Sequence, residues 1–229
     1  SIKYVPTPGM TDWPEDGGPL VDRIVVTLSD GSTRVIEVLL VDGTTYDAAG
    51  HADLGGERHE GLVEGVYTVT ATAHDDVFAR RTGSVGLAAG STLDMGAGDD
   101  TLLIQATGTS GGAAYGADKS TVRMGEGNDS VAISVSANGG NAYGVSGGLL
   151  DLGSGDDVLL LTASARGGYN ASAYAVAGGA KVDLGNGDNA VSISSDSQSR
   201  YAYGIYSDVN GPRSSVVAGD GNDSLAINI

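Results

Sequence analysis

The chain has 229 residues, among them 38 glycines, one Phe, one Trp and no Cys, which excludes a disulfide framework and a large aromatic core and leaves a thin core of Val, Ile, Leu and Ala. A net charge of −17 argues against nucleic acid or anionic membrane as partners. It favours bound cations, the staple that an extracellular chain without disulfides would need, and no apolar run reaches the ~18 residues of a membrane span, so membrane insertion is not expected.

Residues 1–19 hold four of the five prolines and Trp13. They predict a Pro-rich, non-helical leader on the surface or along a sheet edge, with Trp13 packed down as an anchor. Residues 20–82 predict a small antiparallel β domain or cap. Runs 24–28 and 33–39 flank Ser29-Asp30-Gly31-Ser32, a hairpin signal, and 65–73 alternates with period two. The phrases Thr27-Leu28-Ser29-Asp30-Gly31-Ser32-Thr33 and Gly65-Val66-Tyr67-Thr68-Val69-Thr70 resemble those of immunoglobulin-like modules strung along large bacterial surface proteins. That resemblance implies a partial sandwich, because the segment falls short of the ~100 residues of a full one. His51 and His59 share an acidic loop but lack the close partner spacing of a zinc site. The N-terminus is not a signal peptide, and residue 229 falls inside a strand pattern. Both ends are therefore expected to continue into neighbouring domains of a longer chain.

From residue 83 to 229 a repeat takes over. Residues 95–104, 124–133, 152–161, 184–193 and 218–227 share the pattern apolar-Gly-x-Gly-(Asp/Asn)-(Asp/Asn)-x-apolar-x-apolar. Their first glycines, Gly96, Gly125, Gly153, Gly185 and Gly219, are 29, 28, 32 and 34 residues apart; a period near 30 marks a stacked repeat. Each unit predicts three short strands: one after the Gly-Asx turn (Leu102/Ile104 and equivalents), one at an Ala-Tyr-Gly motif, and one before the next turn (Leu93/Met95 and equivalents). Helical periodicity is absent. Three strands and three corners in ~30 residues describe one coil of a right-handed parallel β-helix, an all-β solenoid whose apolar residues stack into a continuous core.

Coils ~4.8 Å apart bring the turns into a column along one corner. Its glycines are Gly96, Gly98, Gly125, Gly127, Gly153, Gly155, Gly185, Gly187, Gly219 and Gly221, which permit backbone conformations closed to other residues. Its oxygen ligands are Asp99, Asp100, Asn128, Asp129, Asp156, Asp157, Asp188, Asn189, Asp220, Asn222 and Asp223. With Glu126, the column holds nine of the 15 acids after Gly83, against six Lys and Arg in that span. Such a column repels itself unless neutralised. A hard cation suits it: calcium takes 6–8 oxygens at about 2.3–2.6 Å, within reach of two coils, and no soft ligand is present to favour zinc or copper.

These residues resemble the Gly-Gly-x-Gly-x-Asp-x-apolar-x repeat of RTX proteins, the calcium-binding repeats of type I-secreted bacterial proteins. The match covers both glycines of each copy, the sixth-position Asp100, Asp129, Asp157 and Asp223, and the eighth-position Leu102, Val131, Leu159, Val191 and Leu225. It implies that the sixth-position aspartates are calcium ligands, helped by turn carbonyls. Two departures stand out. The first position is Met, Leu or Ala, and the motif comes once per ~30 residues, so a solenoid with calcium along one corner is implied rather than a two-edged roll. In the fourth copy Asn189 replaces the aspartate, and weaker or absent calcium is expected there.

Tyr115, Tyr143, Tyr174 and Tyr203 are expected to stack coil upon coil. An inward ladder filling the core is the leading expectation; an outward strip that binds sugar rings is the other. A further column, Asp94, Arg123, Asp151, Asp183 and Val217, would serve a polysaccharide-modifying enzyme, but these are repeat elements without a cleft, and no enzyme is expected. The expected function is a calcium-binding structural and interaction module of a secreted or cell-surface bacterial RTX-like protein, folding on calcium and serving adhesion. Its partners would be calcium ions, a glycan or another surface protein, and the alternative is a carbohydrate-binding or polysaccharide-modifying domain.

Overall fold

A computed structural model describes residues 20–27, 33–40, 58–60, 66–109 and 111–229; the Pro-rich leader with Trp13, and His51, lie outside them. The chain divides into two compact units, Ser1–Gly56 and Glu57–Ile229. Strands are numbered β1 to β18 in chain order.

In the first unit, β1 (Leu20–Thr27) and β2 (Thr33–Leu40) pair antiparallel, with Leu20 opposite Leu40 and Thr27 opposite Thr33. This is the hairpin that the Asp30-Gly31 pair predicts.

In the second unit the strands pair in parallel and build a β-solenoid of about four turns, with no helix among the described residues. One sheet runs β3 (Arg58–Glu60), β5 (Val77–Thr82), β8 (Thr101–Gly108), β10 (Ser130–Asn138), β12 (Val158–Arg166), β15 (Ala190–Ser197) and β18 (Ser224–Asn228). The other runs β4 (Thr68–Thr70), β7 (Thr92–Asp94), β9 (Ala114–Arg123), β11 (Ala142–Asp151), β13 (Ala173–Ala177) and β16 (Ala202–Ile205), joined by β6 (Val85–Leu87), β14 (Lys181–Asp183) and β17 (Ser215–Val217). Parallel pairing reaches back to Arg58, with Val77 beside Thr101 and Thr68 beside Thr92. Residues 58–82 thus add strands to the solenoid sheets, where an antiparallel arrangement was expected.

The apolar pairs behave as the repeat predicts. Leu102, Val131, Leu159 and Val191 stack in register, as do Ile104, Ile133, Leu161 and Ile193, and all are at most 4% exposed. From the opposite sheet Leu93, Val122, Leu150 and Val182 meet them, and Met95, Met124, Leu152 and Leu184 close the corner, all buried. At roughly 1.5–3 kcal/mol for each fully buried Leu, Ile or Met, these rows supply the stability of the coil stack. The expected count of three strands per coil holds only in part. In β9 and β11 the second and third strands fuse into one ten-residue strand. There Lys119 (φ 42°) and the pair Gly147-Gly148 (φ 69° and 76°) turn the chain without ending its ladder.

Candidate functional site

The Gly-Asx turns form the predicted column, and the first role of their residues is to bond one coil to the next. Gly125 has φ 112°, and a Cβ on it would lie 1.8 Å from the Gly96 carbonyl oxygen. No other residue fits, on either count. The close approach lets the turns pair as a strand ladder: Ala97, Glu126, Ser154 and Asn186 form parallel bridges, the Glu126 N–H donates to the Gly96 carbonyl at 3.0 Å, and the Gly98 N–H to the Glu126 carbonyl at 2.8 Å.

Beside this ladder run two columns of side-chain bonds of opposite polarity. At the exposed fifth position each side chain accepts from the next coil. Asp99 Oδ1 takes the Asn128 N–H at 2.7 Å, Asn128 Oδ1 the Asp156 N–H at 2.8 Å, Asp156 Oδ1 the Asp188 N–H at 2.8 Å, and Asp188 Oδ1 the Asn222 N–H at 2.8 Å. At the sixth position each accepts from the preceding coil. Asp129 Oδ1 takes the Asp100 N–H at 2.8 Å, Asp157 Oδ1 the Asp129 N–H at 2.8 Å, Asn189 Oδ1 the Asp157 N–H at 3.0 Å, and Asp223 Oδ1 the Asn189 N–H at 3.2 Å. Asp220 donates its own N–H to Asn186 Oδ1. These bonds, charge-assisted where a carboxylate accepts, satisfy backbone donors that a corner would otherwise leave unpaired.

The sixth-position column is buried, with Asp100, Asp129, Asp157 and Asn189 each 1% exposed. The second oxygens of Asp100, Asp129 and Asp157 are buried and without a hydrogen-bond partner. Burial therefore pushes the carboxyls of Asp100 and Asp157 up to about 7 and that of Asp129 up to about 6; the backbone bond each accepts opposes the rise, and neighbouring carboxylates add to it. The ends of the column differ. Asn189 donates from Nδ2 to Asp223 Oδ1 at 2.8 Å and to the Gly187 carbonyl at 3.2 Å, so its amide is fully used. At the other end Asp76 Oδ2 accepts from the Thr72 N–H and hydroxyl at 2.8 and 2.9 Å.

Asp75 and Asp76 belong to the column although no glycine announces them. Asp100 Oδ1 takes the Asp76 N–H at 2.8 Å and Asp75 Oδ1 takes the Asp99 N–H at 2.7 Å. Residues 71–80 are thus a further copy of the motif, with Thr72 and His74 in the glycine positions. Its only surviving signal is Asp75-Asp76-Val77-Phe78, placed 24 residues before Asp99-Asp100-Thr101-Leu102.

Among the described residues no three His, Cys, Asp or Glu side chains converge on one point. A cation at this corner would instead be held by Asp100, Asp129 and Asp157, whose unpartnered carboxyl oxygens supply hard, negatively charged donors. The three unpartnered oxygens fit a hard cation in charge and in chemistry. At Asn189 an amide donor stands where the aspartates carry an unpartnered oxygen.

The tyrosine ladder lies on the outer side of the second sheet, correcting the leading expectation. Tyr115, Tyr143 and Tyr174 stack at 4.9 Å with planes within 7°, and Tyr203 follows at 5.4 Å. Ala114, Ala142 and Ala173 point inward and are fully buried. Beside the tyrosine strand the core is too narrow for a ring: a Cβ on Gly116 would already lie 2.3 Å from Ile133 Cγ2. The Asn141 amide donates to the Tyr143 hydroxyl at 3.0 Å. Beside the ladder a groove of about 470 Å³ is walled by Tyr206, Asp208 and Pro212. Tyr169 and Tyr201 stay outside the groove lining. The column Asp94, Arg123, Asp151 and Asp183 lies on the same outer face, with Asp183 paired to Lys181. No family model, curated protein or solved structure matches the chain.

Proposed function

We propose that this chain is a calcium-stapled solenoid module of a secreted or surface-anchored bacterial RTX-like protein, and that it serves adhesion. The observation that carries the proposal is the row of buried, unpartnered oxygens on Asp100, Asp129 and Asp157. A buried anion without a partner costs several kcal/mol and is tolerated only when neutralised. In this reading Asp100, Asp129 and Asp157 hold calcium, Asp99, Asp156, Asp188 and Asp220 add to the local potential, and the glycines keep the coils close enough to share an ion. Calcium supplies the positive charge that lets the column close. Before export, in a low-calcium compartment, the repelling acids keep the chain loose; outside, the corner closes and the rod stiffens. The finer expectations belong to the same proposal: right-handed coiling, an immunoglobulin-like character for the hairpin segment ahead of the solenoid strands, and no enzymatic activity. Thermal unfolding in calcium and in chelator tests it. A melting temperature several degrees higher in calcium is expected, with magnesium much less effective; identical curves would sink the idea.

Carbohydrate binding is the second reading, supported by the groove beside the tyrosine ladder. The faces of Tyr143 are covered by Tyr115 and Tyr174, so a sugar would meet ring edges and hydroxyls there, with Tyr206 and Asp208 supplying a tilted ring and a carboxylate. A glycan screen of the parent chain and Tyr206→Ala tests it; binding that Tyr206→Ala leaves untouched counts against the groove.

A further inference from the structure

The outer face of the first sheet differs from the rest of this acidic molecule. The outward side chains of β5, β8, β10, β12 and β15 are mostly small, hydroxylated or apolar, with the amides of Gln105 and Asn138 among them; the charged ones are Arg81 on the outer strand β5, and Arg166 and Asp196 at the downstream rim. Along one row, in register, run Leu103, Ala132, Leu160 and Ser192. Large and small residues alternate there, and Leu103 and Leu160 are 36% and 47% exposed, beside Val158 at 50%. A hollow of about 330 Å³ opens over Ala190 and Ser192, next to Leu160.

We infer that this face is the interface for a second copy of the chain, the two first sheets packing face to face about a twofold axis. Alternating knobs and hollows on one row are what a twofold operation needs. An axis lying between β10 and β12 sets Leu160 against Ala132 of the second copy and Leu103 against its Ser192, so both copies interdigitate with identical surfaces. Size agrees. β5, β8, β10, β12, β15 and β18 have five to nine residues each; at ~3.3 Å per residue and ~4.8 Å between strands the face covers roughly 700 Å² on each copy, near the ~800 Å² per partner of a stable interface. Charge agrees as well. Two chains of net charge −17 repel, and this face carries its charges, Arg81, Arg166 and Asp196, only at its margins, so the association gains from added salt. The inference is independent of whether the corner holds calcium.

Sedimentation velocity of the intact chain, from micromolar to high concentration and at two salt levels, tests it. The parent chain is expected to be dimeric at the upper end, more so at high salt. Leu160→Lys should be monomeric with an unchanged melting temperature, whereas Thr121→Lys, on the other sheet, should stay dimeric. Should Leu160→Lys fail to fold, Ala132→Cys gives the same information. The chain has no cysteine, and sheets ~10 Å apart place the two introduced thiols within reach of a short bis-maleimide, so a cross-linked dimer is expected. A parent chain monomeric throughout overturns the inference, as does a dimer that survives Leu160→Lys. A monomer that adheres to an insoluble polysaccharide through Leu160 overturns it in favour of another occupant.

Discussion

Asn189 carries what its aspartate counterparts lack. It accepts the Asp157 N–H as they accept theirs, and its Nδ2 also donates to Asp223 and to the Gly187 carbonyl. Where Asp129 stands, the same place holds a buried oxygen with no partner. Asp129→Asn therefore keeps the inter-coil bond, removes the central charge of three and adds a donor. In chelator the variant should be more stable than the parent by about 1–3 kcal/mol, the cost of one unsatisfied buried group. In calcium the order should narrow or reverse, because the proposed calcium site loses its central carboxylate. Calorimetry of both proteins with and without calcium reads the two effects; a variant less stable in chelator contradicts this account of the oxygen. Gly125 makes the opposite case, in which no side chain is accepted: Gly125→Ala meets both the left-handed φ and the Gly96 carbonyl, and should cost more than about 3 kcal/mol in urea unfolding.

At the Gly-Asx corner the three buried carboxyls share one cause of a raised pKa, their burial. The folded-state values of Asp100, Asp129 and Asp157 are raised, to about 7, 6 and 7, from 3.8. The folded state therefore holds more protons than the unfolded one between those limits, and in chelator stability should be greatest near pH 4, fall as pH rises, and level off above about pH 7. On the calcium proposal, proton and ion compete for the same oxygens, so in calcium the slope should flatten or invert. Melting temperatures from pH 4 to 8, with and without calcium, check the sign; a chelated protein that gains stability from pH 5 to 7 contradicts the raised values. Much of this element was legible in the residues themselves. Paired glycines and paired Asx residues five times over fix the turn, its place in the coil and the apolar residues that follow. The copy at residues 71–80 was hidden because Thr72 and His74 stand where glycine marks the others, although its Asp75 and Asp76 make the same bonds. The facing of the tyrosines was hidden for another reason. Period two sorts Tyr115 from Ala114 but does not say which side is inside; the narrow gap above Gly116 decides that, and it exists only once both sheets are assembled.

Across the whole second unit, cohesion comes from nearest-neighbour coils, so stability is expected to vary along the stack rather than to be uniform. The rows record the gradient. Leu102, Val131 and Leu159 are at most 1% exposed and Val191 is 4%, while Leu225 in the same row is 47% exposed; Ile193 is fully buried while Ile227 is 42% exposed. β10 and β12 have a parallel neighbour on each side, whereas among the described residues β18 pairs with β15 alone. The corner repeats the pattern, for Asp223 is bonded toward Asn189 only. Hydrogen exchange in calcium should accordingly show strongest protection for β10, β11 and β12, weaker for β15, and weakest for β18, with the difference amounting to several kcal/mol of opening free energy. In chelator the central protection should fall most, since Asp100, Asp129 and Asp157 flank β8, β10 and β12, and the profile should flatten toward that of β18. Protection that stays highest at β10 to β12 in chelator would mean that apolar stacking alone sets the gradient and that the carboxylate column contributes little to it.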